Sequence, residues 1–406
     1  MYITTDRPAT DTPVAGRVAG NVIALGMVSL VTDISSEMVT AVLPLYLVVE
    51  LGLNPLQFGL LDGMYAGVTA IVRLLGGHAA DRWHRLKAVA GFGYGLSAVC
   101  KLGLMAAGSS VGAIGAALAA DRTGKGLRTA PRDALISLSS EPASLGRAFG
   151  VHRAMDTVGA FLGPLVAMGV LWISLGSYTS VFFASFCIAI IGVLLLGLFV
   201  RDRKPVETAK ERVSLRETVA VLRQASVRRV CGWAALLGLV TIGDSFVYLV
   251  LQRRWDVGSV WFPLLPLGTA GVFLLLAIPF GKLADRAGRW KVFLGGHVAL
   301  AVALIVLCGP TVWWLGVLAL VLHGMFYAAT DGVLMAAAGP LLPANIRAGG
   351  LALVQTGQAV ARMASSVLFG LLWTMWDMRV ALLVVVASLV AVVAVAAVVK
   401  PLEVSA

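Results

Sequence analysis

The sequence predicts an all-α membrane protein with twelve transmembrane helices in two six-helix halves. Three observations carry that expectation. Of the 406 residues, 59% are hydrophobic and only 13% charged, with a mean hydropathy of +0.90. Soluble domains carry about 25% charged residues, so the polar coat of a water-soluble protein this long is missing. Apolar runs of the roughly 20 residues needed to cross the hydrocarbon recur twelve times. Finally, a charged loop sequence of the first half returns in the second at an offset of 204 residues.

Taken in order, the apolar runs place spans at 20–49, 55–79, 87–107, 111–135, 145–172 and 178–200, then 230–252, 258–281, 290–308, 312–337, 347–375 and 380–399. The runs 178–200 and 380–399 hold no charged residue. Residues 1–18 carry Asp6, Asp11, Pro8 and Pro13 without a short apolar core, so no cleaved signal peptide is expected and the first span directs insertion. The longest polar stretch, Arg201 to Arg229, has nine Lys/Arg and four Asp/Glu. It predicts a linker with an amphipathic helix around Leu215–Leu222, and hence halves at 1–200 and 230–406 joined by 201–229. With both termini inside, only Arg253, Arg254 and Arg379 of the loop cations fall outside, as the positive-inside rule requires.

The net charge of +11 does not point to nucleic acid, because the basic residues lie between apolar runs instead of clustering on a wettable face. Cys100, Cys187, Cys231 and Cys308 all sit in apolar segments without a CxxC pair, so they read as packing residues and not as a disulfide framework or zinc site. Gly124-Lys125-Gly126 lacks the spacing of a phosphate loop, and no HExxH, GxSxG or Ser/His/Asp pattern is present. An enzyme is not expected.

Gly77–Lys87 (GHAADRWHRLK) and Gly281–Lys291 (GKLADRAGRWK) are identical at six of eleven positions, and each follows the second span of its half. Leu30-Val31-Thr32 before Asp33 returns as Leu239-Val240-Thr241 before Asp244. Six helices per half keep both copies in one orientation, a parallel repeat about an axis along the membrane normal.

Gly281, Asp285, Arg286 and Arg289 resemble the loop signature of the major facilitator superfamily. Gly77, Asp81, Arg82 and Arg85 resemble its first-half copy, with His84 where the family has glycine. Gly159, Gly163 and Pro164 in the fifth span resemble the family's antiporter motif, and Arg122 with Gly126 resembles its intramembrane arginine motif. Asp121–Ile136 (DRTGKGLRTAPRDALI) is similar to a bacterial subgroup of transporters. The resemblance implies the twelve-helix fold of that family, two halves rocking about a central cavity, and export by antiport. It further implies a gate in which Asp81 meets the start of the eleventh span near Arg347–Leu351, with Arg82, Arg85 and Lys87 on lipid headgroups or across the halves.

Charges inside the spans must be accounted for, since each costs about 2.5–3.5 kcal/mol at a helix centre. Asp33 and Glu37, four apart, share a helix face, and two adjacent carboxylates do not both ionise cheaply. Three readings stay open for them: proton coupling, contact with a cation, or neutralisation of Arg122, Arg128 or Arg153. Arg153 and Asp156 are three apart. With Asp121 and Arg122 they suggest a network joining spans one, four and five, centred on Arg122, in which protonation of a carboxylate releases an arginine. Lys101 lies at mid-membrane, Asp62 near the outer mouth and Arg73 nearer the inner one, with Arg132 and Asp133 at the interface. In the second half the deep charges thin to Asp244, Asp331, Arg362 and His323, so the first half is expected to couple and the second to form a binding wall. Gln355, Gln358 and Arg362 form one polar stripe of candidate cavity residues. Trp313, Trp314, Trp373 and Trp376 fit interfacial belts.

The sequence thus reads as a secondary transporter, not an enzyme, without cofactor and monomeric, multi-pass in a bacterial inner membrane with both termini cytoplasmic. Its partners are a small-molecule or cation substrate, protons and the lipid bilayer, with no nucleic acid. Proton-coupled export of a small molecule leads. Export of a divalent metal such as nickel on Asp33, Glu37, Asp62 and His152 stays open, as do a proton-coupled importer and a non-transporting receptor of the same fold.

Overall fold

The computed structural model describes residues 18–83, 85–141, 144–202, 220–342 and 347–399, without the side chains of 66, 70, 71, 73–83 and 347–349. Within them the chain is helical, with twelve long elements. These are α1 (Gly20–Leu45, continued by a π turn at Tyr46–Glu50), α2 (Pro55–Trp83), α3 (Leu86–Ala106), α4 (Val111–Leu138), α5 (Leu145–Ile173) and α6 (Tyr178–Phe199). Then come α7 (Ala225–Leu239 and Asp244–Trp255), α8 (Leu264–Ala287), α9 (Arg289–Cys308), α10 (Trp313–Ala338), α11 (Arg347–Met375) and α12 (Met378–Val398).

Each expected span has its helix. Ser110, Ser177 and Asp377 cap α4, α6 and α12 by accepting from the backbone N–H three residues on. Among the described residues nine helices are long and apolar enough to cross a membrane. Two local expectations are corrected. α7 is broken at Val240–Gly243, where the apolar pattern runs unbroken. α8 begins at Leu264 and not near residue 258, because Gly258–Pro263 forms turns. Of the expected helix at Leu215–Leu222, residues 215–219 lie outside the described residues; Ala220 is helical and Val221–Arg223 follows as a 3-10 turn.

The charged loop copies are largely helical too, since α2 runs on to Trp83 and α8 to Ala287. In the second copy Gly288 turns the chain at φ 101°, a conformation that favours glycine. Arg289 then pairs with Asp285 at 3.3 Å and donates to the Ala336 carbonyl at the end of α10 at 2.8 Å. His84, the counterpart of Gly288, and the side chains of Gly77, Asp81, Arg82 and Arg347 lie outside the described residues, so the expected Asp81 gate does too. The repeat survives in packing. Lys87 at the start of α3 donates to the Gly197 carbonyl in the last turn of α6 at 2.8 Å, and Trp290 at the start of α9 donates to Ala396 in the last turn of α12 at 3.1 Å.

Glycine stripes decide which helices meet most closely. Cβ atoms at Gly159 and Gly163 of α5 would lie 3.0 Å from Leu30 Cα and 2.6 Å from Glu37 Cβ of α1, so the antiporter-like motif is the seam between those helices. Across the halves, a Cβ at Gly63 of α2 would sit 2.6 Å from the Met363 carbonyl oxygen of α11, and one at Gly370 3.1 Å from Leu56 Cα. This α2–α11 contact is close at the end where α2 begins, the Leu56 end. There Leu56 N–H donates to Thr374 Oγ1 at 3.0 Å, and Phe246 meets Phe58 and Phe369 edge-on, each at 4.8 Å. Midway along α5, that helix only grazes α8, with Phe161 3.9 Å from a Cβ built on Gly271. Trp373, expected in an interfacial belt, instead packs on Phe246 and Phe369; Trp313, Trp314 and Trp376 are exposed.

Candidate functional site: a central cavity and a chain of ion pairs

Between the halves lies a cavity of about 260 Å³, lined by α1, α2, α7, α8, α10 and α11. Phe58 and Phe246 separate it from a more apolar hollow of about 370 Å³ at the Leu56 end. The break in α7 builds part of the wall, because Thr241, Ile242 and Gly243 line the cavity and the second segment starts there at Asp244. Asp62 lies one turn beyond Phe58 and accepts from Ser366 Oγ of α11 at 2.8 Å, with Ser245 of α7 facing the same carboxylate. Asp62 is therefore a cavity residue held across the halves, not one at an outer mouth. Tyr327 donates a short hydrogen bond to Asp244 and accepts from Arg362 at 3.4 Å, while His323 Nε2 lies 3.4 Å from Asp244. The second half thus supplies a bridged ion pair, more than the passive wall its thin charge suggested. Of the expected polar stripe only Arg362 reaches the cavity. Gln358 packs against Gly238 of α7, and Gln355 is exposed.

Tyr65 links this cavity to the first half. Its hydroxyl meets Thr40 Oγ1 at 2.6 Å, and the Arg122 guanidinium lies 3.9 Å above its ring, a cation–π arrangement strengthened by burial. Arg122 also pairs closely with its neighbour Asp121, which accepts from Ser97 Oγ at 2.5 Å and has Lys101 at 3.7 Å. Arg122 accordingly ties α4 to α2 and α3. It is not the hub of α1, α4 and α5, because its guanidinium is already satisfied by the adjacent carboxylate and the ring.

A separate chain of pairs joins those three helices. Lys125 reaches Glu37 at 3.5 Å, Arg128 reaches Asp33 at 3.5 Å, and Arg132 reaches Asp156 at 3.8 Å. Three cations at spacings of three and four along α4 present one face to the other two helices, a pattern legible in the sequence although the partners were not. Glu37 and Asp33 thus make their closest ion pairs with different cations, although Lys125 lies near enough to act on both. Arg132, expected at the interface with Asp133, is mostly buried and bridges Asp133 at 2.9 Å to Asp156. Arg153 is 77% exposed and lies 3.8 Å from Asp156. The carboxyls of Asp33 and Asp156 face each other within hydrogen-bonding reach, and Asp156 Oδ1 is buried without a donor among the described residues. His152, one turn before Asp156, is buried on Ser29 at 2.9 Å. The four residues weighed as a metal site are thus dispersed: Asp62 sits in the cavity and His152 is engaged on Ser29.

Comparison with known proteins agrees with this architecture. The Major Facilitator Superfamily model matches residues 25–274 and 264–406. An MFS-type transporter of Methanocaldococcus jannaschii is 28% identical over 87% of this chain and 88% of its own. Multidrug resistance protein MdtG of Enterobacter lignolyticus is 31% identical over 52% of this chain and 51% of its own. Among solved structures, a mutant form of the nucleoside transporter NupG superposes with a TM-score of 0.81 at 16% identity, covering 94% of this chain and all of that one. A POT family transporter in complex with 5-aminolevulinic acid gives 0.77 at 14%, over 94% and 96%; at such identities the likeness is one of fold. The twelve-helix bundle, its central cavity and a family match over nearly the whole chain make this protein a multi-pass membrane transporter belonging to the Major Facilitator Superfamily.

Proposed function

We propose that the protein exports a small molecule by antiport with protons, and that Asp33 and Asp156 carry the proton. The halves 1–200 and 230–406 rock about the cavity, joined by the linker 201–229. Both termini are cytoplasmic in this reading, so the closely packed Leu56 end faces outward.

The observation that carries the proposal is the carboxyl–carboxyl contact between α1 and α5. A hydrogen bond between two carboxyls needs a proton on one of them, and a buried acceptor without a donor is costly. One proton held between Asp33 and Asp156 satisfies both conditions. Its loss leaves two negative charges facing each other, to be screened by Arg128 and Arg132 of α4. The proton thus changes how α4 holds α1 and α5, which ties protonation to packing between helices that must shift when the halves rock. Export is supported by the antiporter-like Gly159, Gly163 and Pro164 and by the likeness to a multidrug resistance protein over half the chain. Among the described residues no three His, Cys, Asp or Glu side chains converge as a metal site, so no observation favours a nickel cargo.

The test is proton release or uptake, followed by a pH dye, when a panel of candidate substrates is added to the purified transporter. The signal is expected in wild type and Glu37→Gln and absent from Asp33→Asn and Asp156→Asn. A full signal in both aspartate variants refutes the assignment, whatever the substrate.

A further inference from the structure

We infer that the central cavity binds a small monovalent organic cation, an aromatic ammonium being the best fit, and that Asp62 reads its charge. The inference rests on the reading of the chain as a small-molecule transporter, but on neither its direction nor its proton site.

Among the described side chains, two carboxyls and one guanidinium line the cavity: Asp62, Asp244 and Arg362. Two of them satisfy one another, because the Tyr327 hydroxyl donates to Asp244 and accepts from Arg362. Asp62 differs. Its partners are hydroxyls, Ser366 at 2.8 Å and Ser245, and among the described side chains no cation lies within 4.0 Å of it. Asp62 therefore has no cation among those side chains to balance it when ionised, a state that a partly dry site tolerates poorly. A single positive charge on the ligand restores neutrality. A zwitterion would not, because it adds no net charge and its carboxylate would compete with Asp244 for Arg362. Aromatic faces complete the site: Tyr65, Tyr248, Phe262 and Phe326 line the same space, and such faces attract both ammonium groups and flat rings. A volume of about 260 Å³ limits the occupant to a small molecule.

Occupancy has a mechanical consequence. Asp62 belongs to α2, whereas Ser366 and Ser245 belong to α11 and α7, so its carboxylate is a tie between the halves just beneath the aromatic plug. An ammonium that takes up the carboxylate competes with those hydroxyls and loosens the tie from inside the cavity. Charge recognition and release of the Leu56 end thereby fall to one residue.

The experiment compares three probes of one shape on the purified full chain in detergent: 2-phenylethylamine, 2-phenylethanol and phenylacetate. Calorimetric titration is expected to show binding of the amine alone. Asp62→Asn, which keeps an acceptor oxygen for Ser366, is expected to weaken it about tenfold or more, and Asp62→Glu to retain it. Unliganded thermal unfolding shows whether each variant is folded, and Asp62→Glu rescue separates charge reading from a packing role. Asp156→Asn is expected to lose the proton signal yet still bind the amine, with its affinity altered only through the lost proton linkage, so the two assignments fail separately. Equal binding of the alcohol, preference for the acid, unchanged amine affinity in Asp62→Asn, or no binding of any probe would each overturn the inference.

Discussion

Gly163 sets how closely two charged helices approach. A Cβ there would lie 2.6 Å from Glu37 Cβ and 2.9 Å from the Ile34 carbonyl oxygen, backbone and side-chain stem that cannot swing aside. Gly163→Ala must therefore move α5 off α1, at about 1–3 kcal/mol for overpacking. Gly169 on the same helix has nothing within 4 Å of such a Cβ, so Gly169→Ala is neutral or slightly stabilising through helix propensity. Thermal unfolding in detergent checks the pair: a lower Tm is expected for the first alone, and equal shifts would refute the close-contact argument. At this scale the sequence displayed the right residue types but not their partners. Asp33 and Glu37 share a face by spacing alone, yet spacing along one helix says nothing of the cations on α4 that pair with them. Nor does it reveal that Asp33 meets Asp156 from a helix more than a hundred residues away in the chain.

Elements were far more legible, because lipid imposes length and polarity on every span and loop charges mark their ends. The break in α7 is hidden in the sequence for a physical reason: Val240-Thr241-Ile242-Gly243 is as apolar as a helix, and the break shows only in the fold, where Thr241 Oγ1 turns back to the Gly238 carbonyl at 2.7 Å and Asp62 and Ser366 of other helices close on Gly243. The matching ties of α3 to α6 and of α9 to α12 lead to a prediction at this scale. Trp290 is buried and its indole N–H serves the Ala396 carbonyl. Trp290→Phe keeps most of the ring but leaves that carbonyl unpaired, at about 1–3 kcal/mol. Lys87→Met removes the equivalent donor at an exposed site, where water replaces it, and the cost stays below about 1 kcal/mol. Thermal unfolding of the two variants should therefore differ, with the tryptophan variant melting lower; the reverse order would refute the reading of the ties as unequal.

For the whole molecule, the uneven contact between halves is the functional quantity. The α2–α11 seam closes the Leu56 end through glycines, the Asp62 tie and the aromatic plug, whereas α5 and α8 touch lightly. The internal repeat relates these two pairs about an axis along the membrane normal, so alternating access requires the Leu56 end of both to part. Holding the Leu56 end shut must then arrest transport without removing the cavity. In a background lacking Cys100, Cys187, Cys231 and Cys308, cysteines introduced as L56C and T374C face each other across the seam, where Leu56 N–H and Thr374 Oγ1 are 3.0 Å apart. Joining them with a short methanethiosulfonate crosslinker is expected to stop transport of the substrate in proteoliposomes, to leave 2-phenylethylamine binding intact, and to be reversed by a reductant. Transport continuing at the rate of the unlinked protein would mean that the seam is not the moving contact, and alternating access about the α2–α11 interface would have to be abandoned.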